Sequence, residues 1–337
     1  MSKKQVGTMP NGAAVYEIGL ANGKGMSVNI LTYGAIIKDI FVPDKDGNIG
    51  NVVLGQDTFE DVREKAFCNA MLVGRVANRI KGASFEIDGN VYHLQANEFA
   101  NTLHSGDANY AKRNFEIAEE DGKSVTLTLD DPEETAGGFP GNAKLSVTYT
   151  VTDDCTLLIA YDFICDKDTP VNLTNHAYFN LSGEDTVENH EVCMDAPFYT
   201  PADEENVPTG EIAKVEGTGL DMTKKIRVGE VLEKTGGVDH NFVLTGRGYR
   251  KIAELTHEGT GRKMEVFTDM PGVQVFTSNF FNEELTKRGG VPLKKFGAIC
   301  FETQTFPDAV NKSHFPEGVL GKNTKKSSVT GYRFGII

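Results

Sequence analysis

A histidine and a glutamate, each set among residues that otherwise read as apolar strands, carry the chemistry of this chain. In Asn172-Leu-Thr-Asn-His-Ala-Tyr-Phe-Asn-Leu181, an extended backbone sends Asn172, Thr174, His176 and Tyr178 to one face. Leu173, Ala177 and Phe179, with Val171, fall on the other. The pattern predicts a strand packed on a core on one side and facing a polar cavity on the other. In Ala298-Ile-Cys-Phe-Glu-Thr-Gln-Thr305, Glu302 interrupts a strand-forming apolar run. An ionised carboxylate is costly to bury, so a glutamate placed there is expected to be paired, bound to something or shifted in pKa. A cavity histidine and a cavity glutamate together point to an acid and a base working on opposite ends of a small polar substrate.

Other residues offer recognition rather than reaction. His104 follows Asn101-Thr-Leu and precedes Ser105-Gly106, a strand end opening into a loop, where side chains commonly reach a ligand. Arg79 closes Gly74-Arg-Val-Ala-Asn-Arg79; a fixed guanidinium can donate to two neighbouring sugar hydroxyls or to a carboxylate, and for either arginine alone a surface salt bridge is the plainer reading. Asp239 and His240 lie in a Gly-rich stretch that, by itself, reads as a solvated Asx turn. Gln274 alternates between Val273 and Val275 much as Glu302 does among its neighbours, and a buried amide needs partners, of which a substrate hydroxyl could be one. The remaining histidines read as structural.

The elements that must hold these groups are short strands. Ser84–Ile87 and Val91–Leu94 flank Asp88-Gly89-Asn90, Leu145–Val151 is followed by Leu157–Phe163 across Asp153-Asp154, and Phe41-Val42 leads into Asp46-Gly47. Asp-Gly supplies the positive φ of tight hairpins, so the strands should pair antiparallel. Helical periodicity is confined to Asp57–Phe67 and, more weakly, Asn282–Lys287. Strands do not alternate with long helices, so the expected fold is all-β, a large antiparallel β-sandwich with few short helices. The 337 residues show no break in composition and are read as one domain.

Composition narrows the function further. A net charge of -14 repels nucleic-acid backbones and anionic membranes, and no basic patch offsets it. No apolar run reaches the roughly 20 residues needed to cross a bilayer. Two lysines near the N-terminus are not followed by an apolar segment, so a secretory signal is not read and a cytoplasmic protein is expected. Cys68, Cys155, Cys165, Cys193 and Cys300 form an odd, scattered set without a Cys-x-x-Cys, arguing for buried thiols rather than a disulfide framework or zinc site. P-loop, dinucleotide, zinc-protease and Gly-x-Ser-x-Gly signatures are missing.

Asn78-Arg79, Leu103-His104, Asn175-His-Ala-Tyr-Phe-Asn-Leu181, Val238-Asp-His240 and Phe301-Glu-Thr303 occur in the order and approximate spacing of the aldose 1-epimerase family, which the chain resembles from about residue 10 onward. Gly137-Gly-Phe-Pro-Gly141 and Pro271-Gly-Val-Gln274 also look like family signatures. The resemblance implies a galactose mutarotase-like β-sandwich with its site in a cleft on one sheet, and interconversion of the α and β anomers of a free hexose such as galactose or glucose. It implies Glu302 as general base and His176 as general acid, with Asn78, Arg79, His104, Asp239 and Gln274 holding the sugar hydroxyls and neither a metal nor an organic cofactor. Productive catalysis would start from ionised Glu302 and protonated His176, with base and acid on opposite sides of the ring. Two departures bear on loop shape and sugar preference: Ser105 stands where the family more often has Gly, and Gly217–Asp221 lacks a proline often found there.

Three other readings share most of these features. A sugar-binding module would need the cleft but not the Glu–His pair. A glycosidase would use Glu302 and Asp239 as its carboxylates. A phosphosugar epimerase would need a cationic phosphate pocket, which the acidic balance disfavours. The expected partner is a monosaccharide, and the expected assembly a monomer or weak homodimer.

Overall fold

Alternate residues of Ala143–Val151 are buried, from Ala143 and Leu145 to Tyr149 and Val151, and this period of two lays the strand against Thr156–Cys165 over its whole length. The computed structural model describes residues 2–64 and 70–337. These two strands belong to a nine-stranded antiparallel sheet running Glu116–Glu120, Ser124–Asp131, Ala143–Val151, Thr156–Cys165, Lys326–Ile336, Arg262–Thr268, Arg250–His257, Glu191–Met194 and Ile226–Arg227. A five-stranded sheet faces it, ordered Ala213–Lys214, Phe198–Thr200, Asp239–Val243, Gly272–Phe276 and Cys300–Gln304. A second five-stranded meander, Ser2–Thr8 to Ile49–Asn51, meets Ser124–Asp131 and Ala143–Val151 of the larger sheet through its strand Ala14–Ala21.

Core packing welds the two facing sheets. Phe242, Val273, Val275 and Phe301 of the smaller sheet share one apolar cluster with Leu255, Met264, Val266, Tyr332 and Phe334 of the larger. Tyr332 also donates its hydroxyl to the Phe301 carbonyl at 3.0 Å, so a buried polar group is satisfied across the layers. The expected all-β sandwich and all three expected hairpins are present.

The expected helices fare differently. Phe59–Glu64 is helical with Phe59 and Val62 buried, while Lys65, Ala66 and Phe67 of the expected Asp57–Phe67 span, and Cys68, lie outside the described residues. Asn282–Lys287 is not a helix: Thr286–Lys287 is extended and pairs with Val291–Pro292. Leu285 is the one apolar residue of that hexapeptide, so a helix there would have no apolar face to bury. Of the cysteines, Cys165 and Cys300 are buried, whereas Cys155 and Cys193 are only half-buried.

Candidate active site

Register on the smaller sheet places the site. Asn241, Gln274 and Glu302 pair across three adjacent strands, and Asp239 pairs with Phe276, which pairs with Cys300. Partners in an antiparallel ladder share a face, so Asp239, Gln274, Phe276 and Glu302 point away from the core. His240, the next residue along, therefore points the other way; it packs against Tyr199 and does not line the cavity. The Asp239 stretch is thus a strand, not a solvated turn.

Two short ladders bring the remaining groups over this face. Thr174–Asn175 pairs with Leu72–Val73 and delivers His176 and Tyr178. Arg79–Ile80 pairs with Thr102–Leu103, setting Asn78 and Arg79 beside His104. Only part of the expected Asn172–Leu181 strand forms, because its asparagines serve the backbone. Asn172 accepts from the Thr305 N–H at 2.9 Å, and Asn175 donates to the Ala70 carbonyl at 2.8 Å. Asn172 accordingly stays out of the cavity.

The resulting cavity, about 260 Å³, is lined by Asn78, Arg79, His104, His176, Asp239 and Glu302, with Tyr178, Phe276, Phe280, Phe281, Leu103 and Leu285 as apolar walls and Glu98 at one side. Gln274 is not among the lining residues: it donates Nε2 to Asp239 Oδ1 at 2.7 Å, orienting that carboxylate, and its Oε1 is buried without a hydrogen-bond partner among the described residues. Glu98 was not singled out from the sequence. A lone Glu in the polar loop Gln95–Asn101 carries no pattern that marks it.

His176 Nε2 lies 3.5 Å from Glu302 Oε1, with both side chains almost wholly buried. The two candidate groups therefore stand side by side. The neighbouring arrangement suits a hemiacetal, whose hydroxyl and ring oxygen are bonded to the same carbon. Burial, reinforced by the Asp239 charge and opposed by Arg79, pushes the Glu302 carboxyl well above its usual range. Burial likewise pulls His176 down to about 4. Both shifts have the same cause, burial, which disfavours the charged form of each group. Glu302 Oε2 and His176 Nδ1 have no hydrogen-bond partner among the described residues.

His104 is locked in one tautomer. Its Nδ1 accepts from the Asn78 N–H at 3.0 Å, so in the neutral ring the proton sits on Nε2. Burial, with His176 and Arg79 nearby, holds its pKa well below the ordinary value. Ligating atoms of His104, His176 and Glu302 lie within 4.8 Å of one another, a set that could hold a metal ion. The proton fixed on His104 Nε2 suits an oxygen acceptor better than a cation.

Asn78, His104 and Ser105 all adopt positive φ, at 63°, 52° and 63°. Ser105 occupies a backbone region that favours Gly, and its hydroxyl offsets the strain by donating to the Val76 carbonyl at 3.0 Å and accepting from the Val76 N–H at 2.8 Å.

The sequence model for aldose 1-epimerase matches residues 16–333. The chain is 36% identical to human galactose mutarotase, the match covering 98% of this chain and 97% of that protein. It is 32% identical to aldose 1-epimerase of Escherichia coli K12, over 96% of each. An aldose epimerase homologue from C. elegans superposes with a TM-score of 0.91 at 31% identity, over 95% of this chain and 99% of that one. Galactose 1-epimerase from Lactobacillus acidophilus superposes with a TM-score of 0.86 at 27% identity, over 99% and 98%. With the fold, the Glu–His cleft and full-length similarity in agreement, this chain belongs to the aldose 1-epimerase family.

Proposed function

We propose that the protein is an aldose 1-epimerase, an isomerase that interconverts the α and β anomers of a free hexose such as galactose or glucose, with Glu302 and His176 as its acid–base pair. The observation that carries this reading is the buried 3.5 Å contact between the two side chains, each with an unpartnered polar atom. Glu302 takes the proton of the anomeric hydroxyl while His176 protonates the ring oxygen, and the C1–O5 bond breaks. The open-chain aldehyde is then held by a protonated Glu302 and a neutral His176, each in the uncharged form that burial favours. Rotation about C1–C2 exposes the other carbonyl face, and the same proton movements in reverse close the ring. Neither oxygen carries a full charge on the way.

The surrounding groups have distinct parts. His104 donates from Nε2 to a sugar oxygen, Asp239 accepts from hydroxyls with Gln274 behind it, and Arg79 and Asn78 complete the polar wall. Tyr178 stacks on the His176 ring at 4.8 Å between centroids and so steadies the acid, while the rim residue Phe280, 67% exposed, is better placed to cover a sugar face. The reading extends to a single working unit, monomer or weak dimer, in the cytoplasm; no helix among the described residues is long and apolar enough to cross a membrane.

Polarimetry on freshly dissolved α-D-galactose and α-D-glucose tests the proposal. Faster decay of optical rotation with the wild type, lost in Glu302→Gln, supports it. Sugar binding without acceleration of any aldose would leave a binding module instead.

A further inference from the structure

We propose that Glu98 determines specificity: by filling the fork of Arg79 from within the protein, it restricts the cavity to uncharged aldoses and rejects those carrying a carboxylate. The inference rests on the sugar site proposed above. Glu98 Oε2 accepts from Arg79 Nε at 2.5 Å and Glu98 Oε1 from Nη2 at 2.9 Å. A guanidinium edge presenting two parallel N–H groups is the standard receptor for a planar anion, and here the Nε–Nη2 edge is already occupied by a carboxylate that also neutralises the arginine's charge. Nη1 has no hydrogen-bond partner among the described residues, which leaves a donor for a neutral hydroxyl.

The loop that carries Glu98 does not depend on this pair for its shape. Asn97 and Glu98 both donate their N–H groups to the Asn101 carbonyl, Asn97 Oδ1 accepts from the Leu103 N–H at 2.7 Å, and Thr102 donates its hydroxyl to the Gln95 carbonyl at 2.7 Å. The Glu98 carboxylate is therefore available for a role other than folding. Its side chain is 26% exposed, whereas that of Arg79 is 6% exposed, so Glu98 is the solvent-facing partner of the pair. An anionic sugar entering the cavity meets this carboxylate on one side and Asp239 on another, with the Nε–Nη2 edge of the guanidinium taken and its charge already paired.

The test compares mutarotation of D-galactose, D-galacturonate and the neutral methyl ester of D-galacturonic acid at pH 7. Wild type should turn over the ester with a kcat/KM at least about tenfold above that of the acid, about 1.4 kcal/mol of discrimination. In Glu98→Gln, which keeps the size of the side chain and one acceptor, the ratio of galacturonate to galactose in kcat/KM should rise at least about tenfold, through a lower KM for galacturonate. Parallel losses on all three sugars would mark Glu98 as merely structural and overturn the inference. Should Glu98→Gln fail to fold, the wild-type comparison decides alone: equal kcat/KM for acid and ester overturns the inference while galactose turnover keeps the proposed function. A wild type that accelerates none of the sugars overturns both.

Discussion

Arg75 and Arg79 are four residues apart, and the fates of the buried charges around them differ. Arg75 is sealed in the core. Its Nε and Nη2 donate to Asp131 Oδ2 at 3.0 and 2.6 Å, Nη1 donates to the Pro140 carbonyl at 2.8 Å, and the Tyr110 hydroxyl joins the same carboxylate at 2.7 Å. Asp131 Oδ1 makes no hydrogen bond, but Arg113 Nη1 stands 3.5 Å from it. Around Arg79, by contrast, Glu302 and His176 approach to 3.5 Å and leave Oε2 and Nδ1 without partners. The buried Arg75–Asp131 ion pair is surrounded by donors and acceptors, whereas the Glu302–His176 contact is left short of them, as groups awaiting a polar ligand would be.

The sharpest way to break this contrast is Glu302→Gln. It should cut galactose mutarotation by roughly 10³-fold, about 4 kcal/mol, while leaving stability at pH 7 unchanged or higher, as read by polarimetry and urea unfolding. Comparable loss of stability would place Glu302 with Asp131. The opposite pattern is expected of Asp131→Asn, which strips the charge facing buried Arg75: about 3 kcal/mol or more lost in urea unfolding, with turnover per folded molecule little altered.

His176→Asn should cost on the order of 10²-fold, and His104→Asn less, since in the proposed mechanism one moves a proton and the other donates a fixed hydrogen bond. Equal losses would mean that the two roles are shared. A bell-shaped dependence of turnover on pH is expected, because the pair works with one proton. The acid limb comes as His176 takes a second proton near its lowered value of about 4. The alkaline limb comes as Glu302, raised by burial, gives up its own. A flat profile between pH 5 and 8, with equal rates in wild type and Glu302→Gln, would sink the assignment.

Stability carries the same signature with opposite signs. His176 ordinarily titrates at 6.5 and falls to about 4 on folding, so between those values the unfolded chain binds more protons and stability rises with pH. Glu302 is raised on folding, so above its ordinary 4.5 the folded chain holds the proton that the unfolded chain has lost, and stability falls with pH. Glu302→Gln removes the falling contribution, and its stability should climb more steeply than that of the wild type from pH 4.5 to 6.5. The smallest effect is expected at Ser105: Ser105→Ala loses both hydroxyl bonds at positive φ and should cost about 1 to 2 kcal/mol, whereas Ser105→Gly, relieved of the strain, should cost less.

Much of the fold could be read locally. Alternation in Leu145–Val151 and Asp-Gly at Asp46-Gly47 and Asp88-Gly89 are statements about neighbours in sequence, and the strands and hairpins formed as expected. Polar residues in the site were harder. Asn172 and His176 share a face in an extended chain, yet one satisfies the backbone at Thr305 and the other lines the cavity. Gln274 and Glu302 are direct partners across a ladder, yet Gln274 turns to Asp239. Nothing near Glu98 in sequence reveals that Arg79 is its partner.

By itself, then, the sequence determined the all-β character, the main hairpins, the family and the residue types available for acid–base work, because these depend on side-chain period, turn chemistry and composition. Only the tertiary structure decided that Glu302 and His176 stand side by side, that Arg75 is sealed in the core, and that Glu98 pairs with the Nε–Nη2 edge of Arg79. Those outcomes depend on which group lies across space and whether water reaches it, and burial acts on a charge only once the sheets have closed around it.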